Sequence, residues 1–312
     1  MDLNHLSVIS TLRQYDALSS DLVELGVSFS FSPSNGQGHD SIEMRSLLSQ
    51  HQIAVIGDDS VDRKVLESCP ELRLIVRWGA GTDNVDLVAA RELGIPVVNT
   101  PGLFGADVAD LALALALCCV RTIVKTDRQI REGYWPKGTT SSFRSLTAAI
   151  LGVGAVGREV ARLLSTFGLK IKVFDPTEPP GVTETWTAFA TVEECVAGAN
   201  LLFACLPLTA ETRGVVSRGL MESMGAPAFV INVSRGEVLD QFDLFTLIDE
   251  GKIDGAGLDV FQIEPLQLEA LPQQAGNLVL SSHNASNTFQ SIARANSKVD
   301  SLIRSFVLEE MD

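Results

Sequence analysis

The chain alternates between short apolar runs and segments in which apolar residues recur at helical spacing. In the N-terminal third, five runs predict strands: HLSVIST, VSFSFS, IAVIG, LRLIVRWG and IPVVNT. Between them, helical spacing is found in MRSLLSQ, DRKVLESC and VDLVAARELG. A strand buried on both faces reads as a nearly continuous apolar run, so this alternation predicts a parallel α/β sheet.

A second α/β series follows a change of pattern at Pro101 and Gly102. One long helix is predicted from Ala106 to Gly133, and then a polar loop. Six further strands are predicted in LTAAILGVG, LKIKVFD, LLFACLP, AFVINVS, DGAGLDV and NLVLSSH. A closing helix is predicted from Asn287 to Glu310. The chain therefore reads as two parallel-sheet α/β domains.

Length and charge limit the possible partners. The 312 residues, 46% of them hydrophobic, are enough for two domains with separate cores. The formal net charge of −15 repels phosphate groups, so we expect neither nucleic acid nor an anionic membrane surface as a partner. The longest apolar run, from Leu111 to Val120, is far below the ~20 residues that span a bilayer.

The cysteines indicate a reducing compartment. There are five, an odd number, without a CxxC pair and without a secretion signal before them. This pattern favours a cytoplasmic protein, and we expect no metal site.

A glycine-rich motif opens the second series. In LGVGAVG, Gly152, Gly154 and Gly157 have GxGxxG spacing between an apolar strand and a helix. The first glycine permits a tight turn, the second lets backbone approach a pyrophosphate, and the third lets the helix pack on the strand. The helix N-terminus then presents N–H groups to the phosphates. This context predicts a dinucleotide cofactor.

The next strand ends in an acidic residue, Asp175, in IKVFD. A carboxylate at this place accepts hydrogen bonds from the ribose hydroxyls of NAD and repels the 2′-phosphate of NADP. We therefore expect NAD as the cofactor. The alternative is an ordinary turn or helix N-cap aspartate before Pro176.

Four polar side chains follow successive strands in the C-terminal half. Arg235 lies in NVSRGEVLD, Asp259 and Glu264 lie in GLDVFQIEP, and His283 ends LVLSSH. Ligands of open parallel sheets gather at the carboxyl ends of strands. Arginine can bind a carboxylate bidentately, and a histidine charged by a glutamate can donate a proton. Together they suit the reduction of a 2-keto acid, although each alone could be a surface or structural residue.

These motifs resemble, in order and spacing, the D-isomer-specific 2-hydroxyacid dehydrogenase family, to which phosphoglycerate dehydrogenases belong. The match runs from about Leu72 to Thr288 and includes RWGAGTDNVDLVAARELGIPVVNTPG, LGVGAVG, LPLTAET, NVSRGEVLD, GLDVFQIEP and SSHNASNT. The resemblance implies an NAD-dependent oxidoreductase that moves a hydride between nicotinamide and C2 of a small 2-hydroxy or 2-keto acid.

The resemblance also assigns site residues. It implies that the catalytic residues are Arg235, Glu264 and His283. It implies further cofactor contacts at Val108, Ala155, Val156, Leu206, Pro207, Thr212, Val233, Ser234 and Asp259. The substrate carboxylate is expected on a loop comprising Trp78, Gly79, Ala80 and Gly81, together with Arg235.

Two departures from the family pattern concern the substrate. Trp78 stands where the family often has a small residue, so we expect a reshaped pocket beside Gly79. Asp58 and Asp59 stand near the place where phosphoglycerate dehydrogenases have an arginine. Two carboxylates there would oppose a phosphate, so 3-phosphoglycerate is not the expected substrate. The sequence does not name the 2-hydroxy acid.

The architecture follows from the same resemblance. Residues 1–98 and 289–312 are expected to form a flavodoxin-like substrate domain, into which a Rossmann cofactor domain of residues 99–288 is inserted. Closure of the two domains would exclude water before hydride transfer. The long helix of the cofactor domain is expected to form a homodimer interface.

Two other functions use the same fold. An NAD(H)-sensing binding protein or co-repressor is the first alternative, and the intact Arg235, Glu264 and His283 speak against it. A formate dehydrogenase is the second, but that group pairs its histidine with glutamine, and Glu264 argues against it.

Overall fold

A computed structural model of the chain describes residues 6–34, 38–177, 186–272 and 277–311. His5, the first residue of the first predicted strand, lies outside them. The chain divides into two compact units. Unit 1 comprises Met1–Phe104 and Thr288–Asp312, and unit 2 comprises Gly105–Asn287. The boundaries predicted from the sequence lie between residues 98 and 99 and between residues 288 and 289.

Unit 1 contains a five-stranded parallel sheet flanked by short helices. Its strands are β1 (Ser7–Ser10), β2 (Ser28–Phe31), β3 (Ile53–Ile56), β4 (Leu74–Arg77) and β5 (Val97–Asn99). Its helices are α1 (Ser20–Glu24), α2 (Ser41–Leu48), α3 (Arg63–Glu67), α4 (Leu87–Glu92) and the closing α11 (Phe289–Met311). The order β2-β1-β3-β4-β5 is that of flavodoxin-like sheets.

The closing helix α11 is fixed to the start of the chain by side-chain hydrogen bonds. Tyr15 Oη donates to Asp300 Oδ1 at 2.5 Å, and Trp78 Nε1 donates to Asn296 Oδ1 at 2.9 Å. These two bonds connect α11 to other elements of unit 1.

Unit 2 contains a seven-stranded parallel sheet. Its strands are β6 (Thr147–Leu151), β7 (Lys170–Phe174), β8 (Trp186–Ala188), β9 (Leu201–Ala204), β10 (Phe229–Asn232), β11 (Gly255–Leu258) and β12 (Leu278–Leu280). Its helices are α5 (Gly105–Val120), α6 (Ile123–Arg131), α7 (Ala155–Thr166), α8 (Val192–Val196), α9 (Arg218–Glu222) and α10 (Gln241–Asp249). The order β12-β11-β10-β9-β6-β7-β8 reverses direction between β9 and β6, the switch point of a Rossmann sheet.

Burial explains why the strands could be read from the sequence. All residues of β9, β10 and β11 are buried, because helices cover both faces of the sheet. Helix α5 approaches β11 so closely that a Cβ on Gly257 would lie 2.7 Å from Leu115 Cβ. The two predicted parallel α/β sheets are confirmed.

The prediction of one long helix from Ala106 to Gly133 is wrong. Thr122 has a left-handed backbone with φ of 50°, which ends α5 and starts the separate α6. Half of the 16 residues of α5 are buried, whereas no residue of α6 is buried. Helix α1 and strand β8 had not been predicted.

Two features are absent from the described residues. No helix among them has the length and apolar character needed to cross a bilayer. Within the same residues, no group of three or more histidine, cysteine or acidic side chains is arranged to hold a metal ion.

Candidate active site

Four predicted site residues of unit 2 follow three neighbouring strands. Arg235 comes after β10, Asp259 directly after β11, and His283 after β12, and these strands are adjacent and parallel. Their carboxyl ends therefore share one edge of the sheet. Glu264 lies in the segment after β11, close enough to contact His283.

His283 and Glu264 form a hydrogen-bonded pair. His283 Nδ1 lies 2.8 Å from Glu264 Oε2, and the side chains are 29% and 33% exposed. The other oxygen, Glu264 Oε1, accepts a hydrogen bond from the Phe261 N–H at 2.9 Å. The backbone bond fixes the carboxylate, and the carboxylate in turn orients the imidazole. The partial exposure leaves both side chains within reach of a ligand.

Asp259 holds the backbone around His283. Its carbonyl accepts from the His283 N–H at 2.7 Å, and its carboxylate accepts from the N–H groups of Asn284 at 2.9 Å and Ala285 at 3.1 Å. His283 itself has φ of 51°, a conformation that non-glycine residues adopt rarely and that its surroundings must therefore stabilise. Asp259 is 1% exposed, and its hydrogen bonds go to the backbone around His283. These contacts give Asp259 a positioning role. Its cofactor contact stays a prediction.

Arg235 lies on a loop ordered by Asn232. The buried Asn232 donates through Nδ2 to the Arg235 carbonyl at 2.9 Å and accepts at Oδ1 from Ser234 N and Oγ. Arg235 Nη1 donates to the Ser234 carbonyl at 2.9 Å. Gly236 touches the backbone of Phe261, where a Cβ would collide. The loop that bears Arg235 is thereby packed against the segment that leads to Glu264.

The glycine motif has the local geometry that a pyrophosphate needs. Gly152 has φ of 92°, and a Cβ there would lie 2.7 Å from the Cys205 carbonyl oxygen. A Cβ on Gly157 would collide with the carbonyl of Gly152. Gly154 caps α7, and no atom lies within 4 Å of the place of its Cβ. The first N–H groups of the 12-residue α7 have no partner within the helix, so these residues fit the phosphates of a dinucleotide.

Asp175 follows β7, beside the glycine loop. Its Oδ2 accepts from the Val153 N–H at 2.6 Å, and its Oδ1 accepts from Thr177 N at 3.0 Å and Thr177 Oγ1 at 2.7 Å. The bonds to Thr177 are those of a turn aspartate, whereas the bond to Val153 ties the carboxylate to the cofactor loop. A carboxylate has about four acceptor positions, so room remains for a ribose hydroxyl.

The other predicted cofactor contacts lie on the same unit. They are Val108, Ala155, Val156, Leu206, Pro207, Thr212, Val233 and Ser234. Val108 is buried in the first turn of α5, and Leu206 follows β9 next to the glycine loop. Thr212 Oγ1 donates to the Pro207 carbonyl at 2.6 Å and holds that loop. Their contacts with a cofactor stay predictions.

The predicted substrate loop belongs to unit 1, directly after β4. The side chain of Trp78 is 5% exposed and packs against Phe104, with ring centroids 5.1 Å apart. It is therefore a core residue of unit 1, held also by Asn296. Its expected effect on a pocket beside Gly79 stays a prediction.

The carbonyl groups of Trp78, Gly79 and Ala80 in this loop are hydrogen-bonded. The Trp78 carbonyl accepts from Arg77, the Gly79 carbonyl from the Thr100 N–H at 3.0 Å, and the Ala80 carbonyl from Asn99 Nδ2 at 2.7 Å. Gly79 N–H donates to Thr100 Oγ1 at 2.8 Å. In the part of the chain that the structure describes, no acceptor faces the N–H groups of Ala80 and Gly81. The loop thus offers donors to an anion.

The argument that two carboxylates oppose a phosphate does not hold for Asp59. Asp59 is 1% exposed and accepts from Thr11 Oγ1 at 2.5 Å and from the Gly57 N–H at 2.9 Å. It is an internal anchor of unit 1. Asp58 is exposed, but it pairs with Arg77.

Sequence reasoning missed several residues that position the site. They are Arg77, Asn99, Thr100 and Asn232. Each is a polar residue in or next to an apolar strand run, and each bonds to the backbone of a candidate site loop. A polar side chain inside such a run was the signal that could have identified them.

Comparison with known proteins agrees with this geometry. The sequence pattern described as "D-isomer specific 2-hydroxyacid dehydrogenase, NAD binding domain" matches residues 113–285. The chain is 34% identical over 258 residues to a glyoxylate/hydroxypyruvate reductase A of Arabidopsis thaliana, covering 80% of this chain and 82% of the relative. The chain belongs to the D-isomer-specific 2-hydroxyacid dehydrogenase family.

Solved structures extend the comparison over nearly the whole chain. An NADPH-dependent glyoxylate/hydroxypyruvate reductase of Sinorhizobium meliloti, solved with NADP and malonate, has a TM-score of 0.81 and 26% identity and covers 96% of this chain and 93% of that chain. A D-lactate dehydrogenase of Aquifex aeolicus, solved with NAD and lactic acid, has a TM-score of 0.86 and covers 98% and 96%. At 21% identity, the second shows the shared fold only.

This member of the family is a dehydrogenase that uses a nicotinamide cofactor. Its reaction class is the interconversion of 2-hydroxy acids and 2-keto acids.

Proposed function

We propose that this enzyme transfers a hydride between NAD and C2 of a small D-2-hydroxy acid or the corresponding 2-keto acid. The observation that supports it most is the 2.8 Å pair of His283 and Glu264 at the strand edge that also bears Arg235. Glyoxylate and hydroxypyruvate are the first substrates to test, because a similar reductase is named for them.

The three side chains have distinct roles in this proposal. In the reductive direction, a doubly protonated His283 donates the Nε2 proton to the carbonyl oxygen as an alkoxide develops. Glu264 stabilises the positive charge of the doubly protonated ring before the transfer and fixes the orientation of the ring. Arg235 binds the substrate carboxylate with its planar fork and polarises the carbonyl. The bound cofactor supplies the hydride for C2 or accepts it from C2.

The loop of unit 1 is proposed to bind the substrate carboxylate as well. The unengaged N–H groups of Ala80 and Gly81 are the ligands, and Trp78 and Gly79 complete the loop. Hydrogen bonds from backbone N–H groups to an anion are charge-assisted and strong. They supply the local positive potential that an anion needs on a chain with a net charge of −15.

NAD rather than NADP is the proposed cofactor. The carboxylate of Asp175, fixed by Val153 and Thr177, accepts from ribose hydroxyls and repels a 2′-phosphate. The glycine motif and the first turn of α7 hold the pyrophosphate. Leu206, Pro207, Thr212 and the loop of Val233 and Ser234 complete the cofactor contacts, together with Val108.

A homodimer is proposed on the exposed apolar surface of α6 and the residues after it. Ile123 is 50% exposed, Ile130 46%, Tyr134 66% and Trp135 77%. Exposed large apolar side chains close together in the sequence favour a protein partner, and a second copy of the chain is the one that the family resemblance implies. Sedimentation of wild type and Ile130→Glu tests the proposed homodimer. A monomeric wild type would overturn the proposal.

The cytoplasmic location stays a prediction.

A substrate panel tests the proposed function. Purified enzyme is mixed with NADH or NADPH and with glyoxylate, hydroxypyruvate, pyruvate or longer 2-keto acids, and cofactor absorbance is followed. Turnover with NADH and one of these acids is expected. Cofactor binding without turnover on any acid would instead favour the sensing or co-repressor function.

A further inference from the structure

An ion pair between a buried arginine and an exposed aspartate lies beside the loop of Trp78 to Gly81. Arg77, the last residue of β4, is 6% exposed, and its Nη2 lies 2.7 Å from Asp58 Oδ1. Asp58 follows β3, the neighbouring strand, and its side chain is 59% exposed. A buried cation in unit 1 is thus paired with a carboxylate that faces solvent.

The guanidinium of this pair touches the backbone of the loop. Arg77 Nη1 donates to the Trp78 carbonyl. A Cβ on Gly79 would collide with the same Nη1, and Gly79 has φ of 140°. The positive charge therefore adjoins the peptide units immediately before Ala80, whose N–H is a proposed ligand of the substrate carboxylate.

The two charges act in opposite directions on a bound acid. Arg77 attracts any negative group near the loop, and Asp58 repels it. A 2-keto acid with a single carboxylate is held by the N–H groups. A second negative charge on the same small molecule would experience both charges, and Asp58 offsets the attraction by Arg77.

We infer that Asp58 is a specificity-determining residue, which makes this loop favour 2-keto acids with one negative charge over those with a second carboxylate or a phosphate. The inference rests on the proposed function, because it requires the loop to bind the substrate. It replaces the simpler view that Asp58 and Asp59 act together, since Asp59 is turned inward.

Asp58→Asn isolates the charge of Asp58. Asparagine Oδ1 still accepts a hydrogen bond from Arg77 Nη2, so the variant removes the charge and retains the contact. The control is Glu71→Gln, which makes the same change in net charge at an exposed residue before the start of β4, whereas Arg77 ends that strand.

The probes are two acids of nearly equal shape. 2-Oxoglutarate has a terminal carboxylate, and 5-methyl-2-oxohexanoate has a neutral isopropyl group in its place. Each is measured as a substrate with NADH and as a competitive inhibitor of glyoxylate reduction. The readout is the ratio of the two acids' kcat/KM values or inhibition constants, which general damage to the loop would leave unchanged.

Asp58→Asn is expected to shift this ratio towards 2-oxoglutarate about three- to fivefold at low salt, as suits a partly exposed charge. Raising the salt concentration to about 0.5 M should shrink the shift, because added ions screen exposed charges. Glu71→Gln should leave the ratio at the wild-type value.

Three results would overturn the inference. The ratio could stay unchanged in Asp58→Asn, or both acids could lose affinity equally. Alternatively, neither acid could bind to wild type or to the variant, which would mean that the size of the pocket determines which acids bind. In all three, glyoxylate reduction by wild type still supports the proposed function. If wild type reduces no 2-keto acid with either cofactor, the proposed function itself fails.

Discussion

Glu264 and His283 come from segments that follow two neighbouring strands, and their side chains meet at 2.8 Å between Oε2 and Nδ1. An ionised carboxylate can only accept a hydrogen bond, so Nδ1 is the donor. The proton available for chemistry is therefore the one on Nε2, and the ring must be doubly protonated to donate it.

Replacing His283 by alanine should remove the proton donor and leave the cofactor site intact. General acid–base catalysis contributes about 10²- to 10⁴-fold, so kcat should fall by that order. The affinity for NADH, measured by fluorescence titration, should stay within about twofold of the wild-type value. The glycine loop that binds the cofactor follows β6, whereas His283 follows β12. His51→Ala, which changes a histidine of unit 1 outside the proposed site, serves as the control. A wild-type kcat in His283→Ala would remove the assigned acid.

Replacing Glu264 by glutamine should keep the shape of the pair and remove its charge. The amide oxygen can accept from either the Phe261 N–H or the imidazole, but it no longer stabilises a charged ring. We expect kcat to fall at least about tenfold while the KM for NADH is unchanged. Steady-state kinetics at several pH values measures this. A variant as active as wild type at every pH would show that Glu264 does not assist His283.

Replacing Arg235 by lysine should show whether the planar fork matters. Lysine retains the charge but cannot form two parallel bonds to a carboxylate. One lost charge-assisted hydrogen bond corresponds to about 1.5–3 kcal/mol, so kcat/KM for the 2-keto acid should fall about 10- to 100-fold. Arg213→Lys, at an exposed residue of the same unit, is the control. Equal kcat/KM in wild type and Arg235→Lys would exclude carboxylate binding by Arg235.

Much of the fold was predictable because strands buried on both faces leave apolar runs that short helices separate. The candidate site was predictable where a strand end and a polar residue coincide, as for Arg235 and His283. The break at Thr122 was not, since nothing in the local apolar pattern signals a left-handed residue between two helical segments.

Tertiary contacts decided what the sequence left open. Asp58 and Asp59 are adjacent and chemically identical. Asp58 is exposed and paired with Arg77, whereas Asp59 is buried and accepts a hydrogen bond from Thr11. Trp78 was expected beside a pocket, and the sequence did not show that its side chain packs on Phe104 and donates to Asn296. Whether a side chain near the end of a strand is buried or exposed depends on neighbouring elements that are distant in sequence.

Asp175→Ala should relax the choice of cofactor. Loss of the carboxylate removes an acceptor for the ribose hydroxyls and the repulsion of a 2′-phosphate. We expect the ratio of kcat/KM for NADH to that for NADPH to fall about tenfold or more, equivalent to about 1.4 kcal/mol. Glu193→Ala, at an acidic residue in the first turn of α8, should leave the ratio unchanged. If wild type uses both cofactors equally, the interpretation of Asp175 is wrong.

The buried Tyr15 should make the enzyme sensitive to alkaline pH. Burial, together with the hydrogen bond to Asp300 and the charge of that carboxylate, raises the pKa of Tyr15 well above the usual value of 10.0. Above pH 10 the unfolded chain therefore loses the phenol proton while the folded chain retains it. The contribution to stability is fully present below pH 10 and is lost as the pH rises, by up to about 1.4 kcal/mol per pH unit.

Tyr15→Phe separates this contribution from other titrations. At pH 7 the variant should be less stable to urea by about 1–2 kcal/mol, because Asp300 loses its hydrogen-bond donor. Between pH 10 and 11 the gap should narrow, since phenylalanine has no proton to lose and all other groups titrate alike in both proteins. The measurement is the free energy of unfolding of both proteins across this pH range. A gap that stays constant to pH 11 would show that the bond between Tyr15 and Asp300 does not couple folding to pH.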